Sequence, residues 1–359
     1  MLKGYRQVLV TGGLGFIGRH LTDALRALGK DVIVLDNLSR VVNATLRPDI
    51  TFVDVDIRDS RQTAQVMEGV DLVFHTASNA NGTISVTHPR FDFETNVVGT
   101  FNVAEAATKA GVKRLVYLSS ASVYGRPQRF PMDEEHPRRP FVPYGASKLA
   151  GELACLSFHH SAGLPVVVGR PFCVYGPGEN PKWALVEVSR FLRWPLNNLP
   201  IPIVGDIDGK TRDFVHVRDL VSGLLLIADK APAGEVFNVG SGTEVSMRQL
   251  VQVISVVTGR EAVIAGIPEV TEDTYRLVAD IGKIRSLGYV PQWSLVDGVR
   301  EIAALLGDHP EVPSGETIFK SGQHGESAAN AGNAVHVAPE EAEGVLEFIG
   351  QAVRRTGMR

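Results

Sequence analysis

Thr11-Gly12-Gly13-Leu14-Gly15-Phe16-Ile17-Gly18 closes a β-branched run at 7–11 (QVLVT) and opens a helical pattern at 16–28. Glycines at 12, 15 and 18 mark a strand that turns sharply into a helix. Side chains at such a turn would block a pyrophosphate from the backbone N–H groups of the helix N-terminus. A glycine triplet alone also fits an ordinary tight strand–helix turn. Its surroundings favour dinucleotide binding, because it occupies the first βα turn and an acid, Asp36, ends the next strand.

Outward from this turn, apolar strands at 31–35, 50–55, 71–75, 114–119 and 165–169 alternate with helical stretches at 91–110 and 144–159. Near-continuous apolar strands separated by helices predict an α/β fold, a Rossmann-type doubly wound parallel sheet covered on both faces. After Arg170 the pattern is mixed: helices at 186–192 and 246–258, strands at 201–204 and 237–239, and a strand running into a helix over 214–226. The expected division is a cofactor domain of residues 1–172 plus about 209–240 and a smaller mixed α/β substrate domain of about 173–208 and 241–306. Residues 307–359 form a C-terminal extension. Within it, 315–339 is rich in Gly, Ala, Ser, Asn and His and reads as a linker or mobile tail, and 340–354 reads as an amphipathic helix.

Composition narrows the function classes. The 359 residues carry 36 basic and 40 acidic side chains, a net charge of −4, so nothing marks a nucleic-acid binder. Two cysteines, Cys155 and Cys173, exclude a disulfide scaffold and a cysteine-based zinc site. The histidines show no metal-ligand spacing, and no metal is expected. No apolar run approaches the ~20 residues of a membrane helix, and the first strand begins too early to leave room for a signal peptide. A cytoplasmic protein is expected.

Asp36 suits the adenosine ribose hydroxyls and would repel a 2′-phosphate, which favours NAD over NADP. Arg40 nearby leaves a 2′-phosphate contact open. Asp56-Ile57, after the third strand, would reach the adenine edge, although Asp56 also fits a plain turn. Tyr144 and Lys148 are four residues apart and share one face of a helix. A lysine ammonium and a positively charged nicotinamide favour the phenolate of a tyrosine that otherwise titrates near ~10. Ser120, at the end of the fifth strand, is placed to hydrogen-bond a substrate hydroxyl beside Tyr144. Ser119 is expected to face the cofactor and Ser122 a turn.

With these pieces in order, the chain resembles the extended short-chain dehydrogenase/reductase family, and within it the NAD-dependent nucleotide-sugar epimerases and dehydratases. The matching stretches are TGGLGFIG (11–18), LDN (35–37), DI (56–57), HTA (75–77), NVVGT (96–100), SSASVYG (119–125), YGASK (144–148), RPFCVYGPG (170–178) and RDFVHVRD (212–219), spread over about residues 7–305. The resemblance implies Ser120, Tyr144 and Lys148 as catalytic residues. It implies cofactor contacts from Gly12, Gly15, Phe16, Ile17, Gly18, Asp36, Asn37, Asp56, Ile57, Ala77, Asn96, Ser119, Tyr144, Lys148 and Phe172. It also implies a retained NAD and a homodimer formed by the helices at 91–110 and 144–159. Arg212 and Arg276 match arginines that grip the nucleotide diphosphate, and Cys173 stands where many relatives place a substrate-contacting asparagine.

The 4,6-dehydratases of this family usually carry Asp-Glu where this chain has Ala121-Ser122, and the decarboxylases usually carry Glu at the position of Ser122. The expected reaction is therefore C4 epimerisation of a UDP-hexose or UDP-hexuronate. Competing readings are a nucleotide-sugar ketoreductase or dehydrogenase with net cofactor turnover, a dehydratase or decarboxylase, and a non-catalytic NAD-binding regulator.

Overall fold

The computed structural model describes residues 1–41, 47–80, 82–180, 186–267, 276–312 and 334–338. The apolar runs become strands β1 (Gln7–Thr11), β2 (Asp31–Asp36), β3 (Thr51–Asp54), β4 (Leu72–His75), β5 (Arg114–Leu118) and β6 (Val166–Pro171), joined by β7 (Val236–Val239) from late in the chain. They form one seven-stranded sheet in the order β7-β6-β5-β4-β1-β2-β3. Every pairing in it is parallel. The order reverses between β1 and β4, and strand carboxyl ends at such a switch point leave a crevice for ligands.

Burial follows the pleat. Val8 and Val10 of β1 enter one core with Leu21, Leu25, Leu220 and Leu224, while Leu9 enters the opposite core with Val103, Tyr117 and Cys155. Helix α1 (Phe16–Ala27) buries Gly18, Leu21, Thr22 and Leu25, the spacing of one helical face. Helix α2 (Pro143–Ala162) starts with proline at a position where the missing N–H costs nothing and stops at Gly163, whose φ is 73°.

The stretch at 91–110, expected as one helix, is three segments. An α-helical turn at Pro89–Phe93 passes into a π-helix at Glu94–Gly99 and returns to α-helix at Thr100–Lys109. Asp92 and Asn96, four residues apart on one face, are both buried.

A third core gathers Tyr175, Phe191, Trp194, Leu250, Ile254, Ile264, Val299 and Ile302. Its helices include Glu187–Leu196, Met247–Thr258 and Leu295–Leu306. Ser246 starts the second of these with a capping box completed by Gln249. Part of the stretch read as a linker is ordered here. Ala334–Val337 pairs antiparallel with Ala262–Ile267, which in turn lies parallel to Ile201–Val204. Val337 is 3% exposed within the third core, and its carbonyl accepts the Ser255 hydroxyl at 3.0 Å. The expected helix at 340–354 lies outside the described residues. Among the described residues, no helix is long and apolar enough to cross a membrane.

The Val337 contact gives a first prediction. Val337→Asp places an unpaired charge in the third core and should cost roughly 2–4 kcal/mol, read as a lower urea midpoint at unchanged m-value. Stability equal to the parent would show that the strand at 334–337 does not complete this core.

Candidate active site

The carboxyl ends of β1 to β6 converge on a cleft of about 400 Å³. Gly12 leaves β1 with φ 68°, and a Cβ there would lie 2.7 Å from the Cα of Ala77. A Cβ on Gly18 would overlap the Gly12 carbonyl oxygen. Gly15 caps α1 without any side-chain hydrogen bond, and the first turn carries no acid. The result is a helix N-terminus with free N–H groups and a positive dipole end facing the cleft, a cradle for a pyrophosphate. Asp36 sits at the end of β2, where its two oxygens accept the backbone N–H of Leu14 at 3.1 Å and of Leu38 at 2.9 Å. It thus ties the glycine turn to the loop after β2. Burial pushes its pKa up, against those two bonds. Asn37 donates to Asp56 at 2.9 Å, and Arg58 holds the Asp56 carboxyl down at about 2.

Tyr144, Lys148 and Glu152 recur every four residues along the inner face of α2. Burial pushes Tyr144 up to about 12; a hydrogen bond with Ser120 pulls against this and the Asp92 charge adds to it. Ser120 also caps the short 3-10 turn at Ala121–Val123 by accepting the Ser122 N–H at 3.1 Å. Lys148 is 2% exposed, with its ammonium 4.6 Å from the centre of the Tyr117 ring. Burial draws its pKa down to about 8, while Cys155, Asp92 and Glu152 favour the charged form. Glu152 accepts the Ser119 hydroxyl at 2.9 Å and Arg170 Nε at 3.0 Å. Arg170 also donates to the Tyr124 hydroxyl at 2.9 Å, which donates to Asn238 at 2.6 Å. This network joins α2 to β5, β6 and β7 beneath the cleft.

Gly12, Gly15, Phe16, Ile17, Gly18, Asp36, Asn37, Asp56, Ile57, Ala77, Ser119, Ser120, Tyr144, Lys148, Phe172 and Cys173 all line this one cleft. Three expected contacts lie off its wall. Asn96 is buried behind it, accepting the Asn79 backbone N–H at 2.7 Å and donating to Ser147 at 3.0 Å. Arg212 is 7% exposed, with Nε 3.4 Å from Glu187 and a donated bond to the Thr211 carbonyl. Arg276 makes a two-pronged contact with Glu244 at 2.9 and 3.0 Å and lies 3.8 Å over the Phe130 ring. Thr211–Arg212 pairs in parallel with Arg276–Leu277 so that Arg212 lies opposite Leu277, which lines the cleft, and Arg276 lies opposite Thr211.

Sequence reading passed over three residues. Glu152 was legible as the next step of the Tyr144–Lys148 spacing. Glu179 lines the cleft, where burial pushes it up to about 7 against bonds from Gly176 and Ser189. Asn79 joins Arg40 to Asp92 through bonds of 2.9 and 2.7 Å.

Comparison with known proteins identifies the family. The model of the NAD dependent epimerase/dehydratase family matches residues 8–240. A putative UDP-glucose 4-epimerase of Methanocaldococcus jannaschii is 36% identical over 298 residues, spanning 82% of this chain and 96% of that protein. The crystal structure of a UDP-glucose 4-epimerase from Thermotoga maritima with UDP-glucose superposes with TM-score 0.79 at 33% identity, covering 82% of this chain and 97% of that one. A dTDP-glucose 4,6-dehydratase from Streptomyces venezuelae with NAD bound gives TM-score 0.75 at 32% identity, covering 82% and 95%. The fold is that of an extended short-chain dehydrogenase/reductase. The chain belongs to the NAD-dependent epimerase/dehydratase family, and its cofactor is NAD.

The buried pair under the cleft carries a prediction of its own. Glu152→Ala leaves the Arg170 guanidinium buried and unbalanced and should cost ~3–5 kcal/mol, visible in equilibrium urea unfolding. A loss below ~1 kcal/mol would mean that the ion pair is not what joins α2 to β6.

Proposed function

We propose that this enzyme interconverts C4 epimers of a nucleotide-activated sugar, a UDP-hexose or UDP-hexuronate, through a 4-keto sugar. The observation that carries the reading is the wall beside Tyr144. It presents Ser120, Ala121 and Ser122 to the cleft. Eliminating water from the sugar needs an acid to protonate the departing hydroxyl, and neither Ala121 nor Ser122 supplies one. Oxidation and return at one carbon need only a base, a hydroxyl ligand and a hydride carrier. Similarity to 4-epimerases over most of the chain supports the same reading.

The residues then divide the work. Bound NAD supplies the hydride acceptor and the positive charge that eases ionisation of the neighbouring phenol. Tyr144 takes the proton from the sugar hydroxyl and later returns it. Ser120 holds that hydroxyl and the tyrosine in line. Lys148 supplies the ammonium that favours the phenolate. The uncapped start of α1 and the Asp36 carboxyl hold the cofactor by its phosphate and ribose groups. Arg212 and Arg276 take the substrate diphosphate, exchanging part of their contact with Glu187 and Glu244 for phosphate oxygens. Residues 1–172 with about 209–240 serve the cofactor, and about 173–208 with 241–306 serve the sugar nucleotide.

The protein acts as a homodimer in the cytoplasm on this reading. Phe93 (54% exposed), Val98 (39%), Phe101 (46%) and Leu153 (52%) present large apolar side chains on the two helical stretches at 82–109 and 143–162.

Two outcomes test these statements. Tyr144→Phe should lower kcat by roughly 10²–10⁴-fold while NAD still co-purifies, and the parent should interconvert the epimers with no added cofactor. Full activity in Tyr144→Phe, or stoichiometric NADH release by the parent, would refute the proposed chemistry. Phe101→Asp should shift the light-scattering mass from dimer to monomer, and a monomeric parent would remove the dimer from the account.

A further inference from the structure

Asp92 plays no part in the chemistry above, yet it is 1% exposed and packed close behind the catalytic pair. Asn96, four residues further on, shares its face and is also buried. Asp92 Oδ1 accepts Asn79 Nδ2 at 2.7 Å and Asn96 Nδ2 at 3.1 Å. Oδ2 is buried with no hydrogen-bond partner, and the Ser147 hydroxyl donates to the Tyr144 carbonyl at 3.0 Å. Asn79 continues the chain to Arg40 on the cofactor wall at 2.9 Å. A single line of bonded side chains therefore runs from Arg40 through Asn79, Asp92, Asn96 and Ser147 to the backbone of Tyr144.

We propose that Asp92 is a positioning residue of the reaction: it fixes Asn79 and Asn96 behind the cleft wall and supplies the negative charge that balances the Lys148 ammonium beside Tyr144. The proposal rests on the reading of Tyr144 as the base.

The other groups facing this pair leave that role to Asp92. On β4, His75 is held down at about 3 by burial and is neutral. On β5, burial pushes the Tyr117 phenol well up. On α2 itself, the Cys155 thiol is pushed up to about 12, and the Glu152 carboxylate is matched by Arg170. The Ser120 hydroxyl is uncharged. Arg40 reaches Asp92 through the Asn79 amide, a neutral relay. Among the described residues packed around Tyr144 and Lys148, Asp92 is thus the carboxylate without a cation bonded to it. Burial pushes the Asp92 carboxyl up, against the hydrogen bonds and the Lys148 charge that favour its ionised form. In that form its charge opposes ionisation of Tyr144 and favours the ammonium of Lys148. Both effects move the titration of the site upward in pH.

The test separates position from charge. Asp92→Asn keeps an oxygen for the Asn79 and Asn96 amides and removes the charge. Asp92→Ala removes both. With the holoenzyme and a UDP-sugar epimer pair, Asp92→Ala should lower kcat about tenfold or more, as expected for a displaced catalytic group. Asp92→Asn should recover most of that loss, with both limbs of its kcat–pH profile displaced to lower pH. Three results would overturn the proposal: a profile for Asp92→Asn that superposes on the parent, a parental kcat in Asp92→Ala, or an Asp92→Asn protein that fails to fold or retain NAD, which would make the residue structural. Tyr144→Phe measured alongside separates the two readings. Full activity there fails the base assignment, whereas an inactive Tyr144→Phe with an undisplaced Asp92→Asn profile fails the role of Asp92 alone.

Discussion

The ion pair of Glu152 and Arg170, withdrawn almost wholly from water, is the constraint on which the rest of the site depends. Two charges held in a protein interior are tolerated only when every remaining lone pair and proton is met. Here Ser119, Tyr124 and the Glu134 carbonyl complete the set. That requirement fixes the rotation of α2 about its axis. With Glu152 pinned to β6, Lys148 and Tyr144 must follow on the same face at one and two turns nearer the cleft. The Tyr144 and Lys148 side chains are therefore oriented by a contact off the cleft wall.

Topology supplies the other half of the arrangement. The reversal between β1 and β4 opens the sheet where the strands end, and the glycine turn, the Asp36 carboxyl and the Ser119-Ser120 strand end all arrive there from different crossovers. Tyr144 on α2 and the glycine turn before α1 are brought together by strand order, not by nearness in sequence. Asp36 adds a mechanical link, because bonding Leu14 and Leu38 ties the cradle to the neighbouring strand.

The features legible in the sequence are those with local spacing. The glycines at 12, 15 and 18 and the tyrosine–lysine step follow the turn and helix periods directly, and six apolar strands interleaved with helical stretches declare the parallel sheet. The π-helix at Glu94–Gly99 left no mark in the apolar pattern, because its short run of Thr, Asn, Val and Gly reads equally well as α-helix. Arg212 and Arg276 were readable as cations, but Glu187 and Glu244 meet them only through tertiary packing. The strand at 334–337 is four residues long in a stretch poor in large apolar side chains. Its pairing with Ala262–Ile267 is a long-range event that no local pattern announces.

The central claim is that hydride leaves and returns to one sugar carbon within a single bound molecule. The direct measurement uses UDP-glucose carrying deuterium at C4, incubated with the protein in the presence of excess unlabelled NADH and analysed by mass spectrometry and NMR of the recovered epimers. The account predicts a 4-epimer that keeps its deuterium at C4, with none transferred to the free nicotinamide pool. Deuterium in that pool, or a 4-keto-6-deoxy product carrying the label away from C4, would contradict it.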